Sequence, residues 1–281
     1  PYSRPVIGFM NDLENMSFHD AREWYDLWYA PNNATVVVVG DVQAQEVYKL
    51  AKQHFGKLSA KKLPVRKPQV EPAQLGERRV VVKAPAKQAY LLMGFHVPSL
   101  QELDKDWQPY ALEVLAGVLS GNPAARLNQS LVRDSQLAVD VSAGYDIMSR
   151  GRQSLFELDG TPSEGKTVRE LEAALLQQIE KIKQSGVSAE ELDRVKAAVI
   201  AADVYQRDSM FYQAMQIGTV ESIGFSWKIL DQYQAKLRAV TAEQVQAVAK
   251  QYLNADNLTI ATLDPQPMDP NAKPKGKPHV H

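Results

Sequence analysis

The chain has 281 residues, no cysteine and a formal net charge of −1, with acidic and basic residues interspersed. This length allows one complete domain and part of a second, since domains typically contain about 100 to 200 residues. The balanced charge favours neither nucleic acid nor an anionic membrane as a partner, and the lack of cysteine excludes disulfides and thiolate metal sites. No apolar run approaches the roughly 20 residues that a membrane span needs.

The first predicted unit covers residues 1–58 and has the order helix, strand, helix. An amphipathic helix over 18–29 ends before Pro31, because proline cannot continue a helix. The valine run Val36–Val39 predicts a strand that is buried on both faces, since it leaves no polar face for water. Residues 42–55 return to helical spacing. A single strand between two helices has unpaired ladder groups, so we expect the rest of its sheet to lie upstream.

Two segments of the chain lack a periodic apolar pattern. Residues 59–77 are rich in lysine and proline and are predicted to be an extended interdomain linker. Residues 264–281 are also rich in proline and lysine and have almost no apolar side chains. We expect this tail to be disordered, because it cannot bury enough apolar surface to offset the entropy of ordering.

Residues 78–263 alternate short strand patterns with amphipathic helix patterns. The strand patterns lie at 78–83, 88–96, 137–145, 153–160 and 257–263. The helix patterns lie at 104–119, 124–133, 164–184, 188–208, 210–221, 227–238 and 241–253. Capping boxes are expected at Ser188 with Glu191 and at Thr241 with Gln244. This order predicts an α+β fold, an α/β sandwich in which helices pack on one face of a mixed, mainly antiparallel sheet.

The first unit also carries a family resemblance. The run from Trp28 to Asp41, with Arg4–Gly8 and Asp12–Leu13 before it, is similar to the pitrilysin/insulinase family of zinc metallopeptidases. The branch it resembles is that of the mitochondrial processing peptidase and its bacterial relatives. The resemblance implies that residues 1–58 are the C-terminal part of the metal domain and that 78–263 are the second, non-metal domain.

The zinc motif of that family is not found in this sequence. The family binds zinc through His-x-x-Glu-His and a downstream glutamate, because this spacing turns two imidazoles toward one metal. None of the five histidines has these neighbours; they are His19, His54, His96, His279 and His281. We therefore predict no catalytic residue and no metal ligand in this chain, and the resemblance places the motif upstream of Pro1. Zinc is expected in the full-length protein or its partner.

One family substrate site has a partial counterpart. Family members often carry Leu-Arg-Glu-x-x-Gly-Leu-Ala-Tyr, in which the arginine and tyrosine bind the substrate carbonyl and stabilise the oxyanion. Residues 131–139 match the arginine with Arg133, but they lack the glycine, place Val139 where the tyrosine belongs and have a spacing between these two positions that is one residue shorter. Tyr145 lies too far along to replace it. Arg133 is thus the candidate substrate-binding residue, and its alternative role is to interact with the dipole at a helix C-terminus.

Three hypotheses about function follow. In the first, the chain is the C-terminal portion of a zinc metalloendopeptidase subunit that degrades or processes extended, unfolded peptides and is inactive by itself. In the second, it belongs to a non-catalytic subunit that pairs with an active one. In the third, it is a peptide-binding module that uses a sheet edge. The resemblance further implies a homologous partner subunit, in a homodimer or heterodimer, and a periplasmic location.

Overall fold

The computed structural model describes residues 7–65, 67, 72–102, 105–149 and 153–268. These residues form two compact units. Unit 1 comprises the described residues within 1–73 and 204–231, and unit 2 those within 74–203 and 232–281. The division predicted from sequence assigned residues 204–231 to the second domain, whereas their packing groups them with unit 1. The predicted domain boundaries stay a prediction.

Groups of helices separate two pairs of strands and a final strand along the described chain. The helices are α1 Met10–Asn15, α2 Phe18–Trp28, α3 Ala44–Phe55, α4 Gln108–Ser120, α5 Val168–Ser185, α6 Ala189–Gln206, α7 Met210–Ser222, α8 Ile229–Ala239 and α9 Ala242–Tyr252. A π-helical segment covers Asn128–Asp134, and short 3-10 turns cover Pro31–Asn33 and Ala255–Asn257. The strands are β1 Arg78–Pro85, β2 Tyr90–Pro98, β3 Ala138–Tyr145, β4 Gln153–Pro162 and β5 Leu258–Gln266.

Unit 1 confirms two predicted helices and corrects one predicted strand. Helices α2 and α3 lie where the helical patterns placed them. The predicted strand Val36–Val39 is wrong for this structure, because a strand needs a ladder partner and residues 34–39 have none in the described chain. Val36 and Val38 are 68% and 50% exposed rather than buried on both faces.

Unit 2 contains one five-stranded sheet in the order β1-β5-β2-β4-β3. Strands β1 and β5 are parallel, and the other neighbouring pairs are antiparallel. Burial alternates along β4, where Phe156 and Leu158 are fully buried while Leu155 and Glu157 are exposed. Because successive side chains of a strand point to opposite faces, one face of the sheet is covered and the other is open. The predicted mixed, mainly antiparallel sheet is therefore confirmed.

Helices cover one face of this sheet, as predicted. Helix α4 packs on β3, α5 packs on β4 and β2, and α9 packs on β2 and on both of these helices. The largest fully buried side chains all come from these elements and their connections: Tyr110, Phe95, Phe156, Leu91, Met93, Leu100, Leu112, Leu115, Leu119, Leu127, Leu158 and Leu171. Unit 2 therefore has a continuous apolar core between its sheet and its helices.

The helix ends in unit 2 follow the predicted chemistry with one exception. Gly186 ends α5 with a φ of 69°, and Thr241 with Gln244 forms the predicted capping box of α9. Ser188 Oγ accepts the backbone N–H of Glu191 at 3.1 Å, but the Glu191 carboxylate does not complete the box. It accepts two hydrogen bonds from the Arg126 guanidinium instead, at 2.7 and 2.6 Å.

The boundaries of the linker and of the tail also differ from the predicted ones. The buried Gln74 donates to the carbonyl of Leu258 at 2.7 Å and accepts from the hydroxyl of Thr259 at 3.2 Å. These hydrogen bonds attach the chain to β5 from residue 74 onward. The attachment therefore begins before the predicted end of the linker at residue 77. Strand β5 extends to Gln266, so the first residues of the predicted disordered tail belong to the sheet. Residues 269–281 lie outside the described residues.

Candidate functional site

Arg133 lies in the last turn of the π-helical segment, just before β3. Leu131 is buried and anchors this segment, while Arg133 is exposed. Its guanidinium has no hydrogen bond or ion pair to any described residue. The segment closes with wide turns, in which the N–H of Ser135 donates to the carbonyl of Ser130 at 3.2 Å. π-helical turns are rare and frequently occur at functional sites, so this arginine is presented on unusual local geometry.

Gln136 carries the backbone strain of this turn. Its φ is 50°, in the left-handed region that glycine adopts at little steric cost. It stands directly before Leu137, where the family motif has its glycine. The N–H of Leu137 then donates to the carbonyl of Leu131 at 2.8 Å. The glycine-like conformation is therefore present in the chain although the glycine is not, which the sequence did not reveal.

The tyrosine of the motif has no replacement at its own position. Val139, at that position on the edge strand β3, is 54% exposed and offers no side-chain hydrogen bond. The hydroxyl of Tyr145 donates to the carbonyl of Pro98 at 2.6 Å, and its ring stacks on Phe156. Burial raises the pKa of Tyr145. Tyr145 is thus held by ring packing and by a hydrogen bond to the backbone. It therefore does not take the role of the missing tyrosine.

The histidines do not form a metal site in the described part of the chain. His19 lies in α2, His54 in α3 and His96 near the end of β2, while His279 and His281 are outside the described residues. Within the described ranges, no three histidine, aspartate or glutamate side chains lie close enough together to hold a metal ion. The histidine and carboxylate donors of the described residues therefore do not fit a zinc centre.

A buried carboxyl group in unit 2 was not predicted. Glu113 is the one charged residue of the apolar helix α4, and it accepts a hydrogen bond from the hydroxyl of Tyr233 in α8. Its Oε2 is buried and has no hydrogen-bond partner among the described residues. Burial raises the pKa of Glu113 to about 7, and the nearby charges of Asp146 and Asp203 add to this effect. A lone carboxylate in an apolar helix was the available sequence signal.

The surface of α2 has an open depression. It is lined by side chains of that helix alone: His19, Arg22, Glu23, Asp26 and Leu27. Arg22 and Asp26 form an exposed ion pair at 2.8 Å across it. A depression with walls from one helix does not enclose a ligand, so it is a weaker candidate than the Arg133 region. Separately, the described helices include none that is long and apolar enough to cross a membrane.

The sequence profile described as the Peptidase M16 inactive domain matches residues 15–199. The chain is 32% identical over 201 residues to the zinc protease PqqE of Helicobacter pylori. The aligned region covers 70% of this chain and 44% of that protein. It is 25% identical over 196 residues to a probable zinc protease, PqqL, of Escherichia coli, covering 69% of this chain and 21% of that protein. This chain spans about half the length of the curated relatives it matches first.

Solved structures share the fold. The crystal structure of a protease from Helicobacter pylori superposes with a TM-score of 0.84 at 26% identity, covering 92% of this chain and 62% of that one. The periplasmic protease PqqL from Escherichia coli gives a TM-score of 0.74 at 18% identity, covering 95% of this chain and 31% of that one. At this level of identity the second likeness concerns the fold alone.

Proposed function

The chain belongs to the M16 peptidase family and carries its inactive domain, and from this premise we propose that it is the non-catalytic half of a zinc endopeptidase. The resemblance to the pitrilysin/insulinase family drawn from sequence is thereby confirmed. The proposal extends it to the whole protein: a metal domain, carried by further chain or by a partner, would hold zinc and cleave extended peptides. This half would supply one wall of the substrate chamber.

The match to the inactive domain is the observation that carries this proposal. The likeness to longer zinc proteases supports it, since the aligned regions cover only 44% and 56% of the two relatives. So do the exposed apolar side chains of unit 1, such as Phe18, Val36 and Phe55, which are 75%, 68% and 54% exposed. Side chains of this size each gain about 1.5 to 3 kcal/mol when they are buried, so they favour packing against further structure. We propose that this structure is the rest of the metal domain.

Arg133 is the residue we propose to contact the substrate. Its guanidinium is exposed and unpaired among the described residues, and it can donate hydrogen bonds to a carbonyl that becomes an oxyanion. Strand β3, which starts five residues later, lies at a sheet edge. Such an edge can bind an extended peptide through main-chain hydrogen bonds with little sequence preference. The substrates would therefore be unfolded peptides rather than folded proteins.

Location and assembly concern the complete protein. We propose a periplasmic location because the similar protein PqqL of Escherichia coli is a periplasmic protease. We also propose that the complete protein pairs with a homologous subunit, so that two related halves enclose the substrate. Size-exclusion chromatography with light scattering on the complete protein tests the pairing, and a monomer would contradict it.

The test of the function uses the complete protein, encoded by the full reading frame that contains this chain. Arg133→Ala should lower turnover of an unfolded fluorogenic peptide by about 10-fold or more, because one oxyanion donor typically contributes roughly 2.7 to 4 kcal/mol. Arg169→Ala is the matched control, since Arg169 is also exposed and unpaired among the described residues. Equal rates for the two variants would leave Arg133 with the helix-terminus role.

Val139 favours a second candidate function. Because valine replaces the motif's tyrosine, the oxyanion site is incomplete, as would suit a non-catalytic subunit that pairs with an active one. Zinc analysis of the complete protein separates the two candidates. One tightly bound zinc per chain, with peptide cleavage, supports the endopeptidase. No tight zinc, with cleavage only after a homologous active subunit is added, supports the non-catalytic subunit.

A further inference from the structure

Strand β1 forms an open edge of the sheet in unit 2. It pairs with β5 on one side, and it is the last strand in the order on the other side. Its three consecutive valines, Val80, Val81 and Val82, are 48%, 62% and 48% exposed. An edge strand with unpaired backbone groups and exposed β-branched side chains is a template for a further strand.

One hydrogen bond identifies the backbone groups that face outward. The N–H of Ala86 donates to the carbonyl of Gln266 in β5 at 3.3 Å. Alternate residues of a strand direct their N–H and C=O groups to opposite sides, so the groups of Val82 and Ala84 also face β5. Those of Val81 and Lys83 then face away from the sheet, as do those of Arg79.

Pro85 agrees with this assignment. It falls in the outward-facing series, and proline within a sheet is restricted to positions where its missing N–H would point away from a neighbouring strand. It also prevents an added strand from pairing with the end of β1. The open edge therefore consists of three residues with outward donors and acceptors: Arg79, Val81 and Lys83. Their outward backbone groups have no partner among the described residues.

The charges around this edge select its partner. Arg78, Lys83 and Lys87 form no ion pair with described residues, whereas Arg79 is bound by Glu172 at 3.0 and 2.6 Å. If two copies of β1 paired antiparallel about Val81, Arg79 of one copy would lie opposite Lys83 of the other. Like charges placed directly opposite on neighbouring strands are destabilising, so this edge disfavours a second copy.

We propose that the outer edge of β1 binds an extended acidic segment of a partner polypeptide by strand addition. Main-chain hydrogen bonds to Val81 and its two outward neighbours provide the affinity. The β-branched side chains of the added strand pack beside Val80 and Val82 on the open face, and its carboxylates lie on the other face, where they pair with Lys83. This binding requires no zinc and no cleavage, so it does not depend on the endopeptidase proposal. The edge also differs from β3, the strand that follows Arg133.

The test measures binding of a fluorescein-labelled acetyl-Glu-Val-Thr-Val-Glu-amide peptide to the whole 281-residue chain by fluorescence anisotropy. Val81→Pro removes the central outward N–H, and the matched control Val81→Ala removes the side chain but keeps the N–H. We expect Val81→Pro to weaken binding by about 5-fold or more and Val81→Ala by less than about 3-fold. A peptide with lysine in place of both glutamates should bind more weakly than the acidic one.

Three results would overturn the proposal. They are no binding of the acidic peptide up to millimolar concentration, equal losses in the two variants, and equal binding of the acidic and basic peptides. Self-association that Val81→Pro abolishes would assign the edge to a second copy instead. If Val81→Pro fails to fold by circular dichroism, hydrogen exchange of the wild-type chain decides. The peptide should slow exchange of the amides of Val81 and Lys83, and unchanged exchange contradicts the proposal.

Discussion

The two units differ in what their helices bury. In unit 2, helices α4, α5 and α9 press leucine, isoleucine and valine side chains against the sheet, and many of these are fully buried. In unit 1, none of the residues of α1, α2 or α3 is buried. The buried apolar residues among the described part of unit 1 are Ala30, Val220 and Ile229.

This difference shows that a helix can form from its local sequence signals without packing against a core. Helix α2 has its capping box, in which Asp20 accepts the N–H of Ser17 at 2.7 Å, and it has a well-defined apolar side. Its local signals are as complete as those of α5, which also has a capping box. Helices in proteins are stabilised mainly by packing of an amphipathic face, so α2 and α3 have the local structure without the stabilising contacts. We infer that unit 1 is stable only when more chain material covers it.

The largest expected effect contrasts two phenylalanines. Phe156→Ala in β4 should lower the free energy of unfolding by about 3 to 5 kcal/mol, because it removes a fully buried ring from a packed core. Phe18→Ala in α2 should change it by less than about 0.5 kcal/mol, since that ring is 75% exposed. Urea unfolding followed by circular dichroism measures both. Similar losses for the two variants would contradict the difference between the units.

A second prediction uses Glu113, whose Oε2 is buried, to sharpen the description of unit 2. Its pKa is raised from an ordinary 4.5 to about 7, so the folded state binds the proton more tightly than the unfolded state. The contribution of Glu113 to stability should therefore be fully present below about pH 4.5 and be lost as the pH rises through 7, by an amount on the order of 3 kcal/mol. Glu113→Gln should remove this loss.

The control for this experiment is Glu164→Gln, because Glu164 is exposed and has no partner in the described chain. That variant should keep the wild-type dependence on pH. Urea midpoints measured between pH 5 and pH 8 provide the comparison. If the profile of Glu113→Gln were parallel to that of the wild type, then Glu113 would not be the group that titrates.

The smallest expected effect concerns the turn before β3. Gln136 adopts a φ of 50°, which a β-branched side chain tolerates poorly. Gln136→Val should therefore lower the free energy of unfolding by about 1 to 2 kcal/mol, whereas Gln136→Gly should leave it within about 1 kcal/mol of wild type. Thermal unfolding by calorimetry distinguishes them. If valine were tolerated as well as glycine, the turn would not require the left-handed conformation.

Local patterns predicted most of the helices and strands of unit 2, because apolar periodicity and caps such as Thr241 act within a few residues. They failed where the local structure depends on a partner that is distant in the sequence. Val36–Val39 has strand composition, but a strand needs a ladder that this segment lacks in the described chain. The carboxylate of Glu191 was expected to complete a capping box, yet Arg126, far away in sequence, binds it. At the candidate site, Arg133 was found from the motif, whereas the left-handed turn at Gln136 is visible only in backbone angles.

Hydrogen exchange of this chain by itself can show whether unit 1 is stable without further chain material, because it reports the stability of each element separately. We expect amides of β2 and β4 to exchange only through global unfolding of unit 2. Amides of α2 and α3 should exchange through local opening, at least about 100-fold faster, since little packing opposes that opening. Equal protection in α2, α3 and the central strands would contradict the difference between the units, because unit 1 would then be stable by itself.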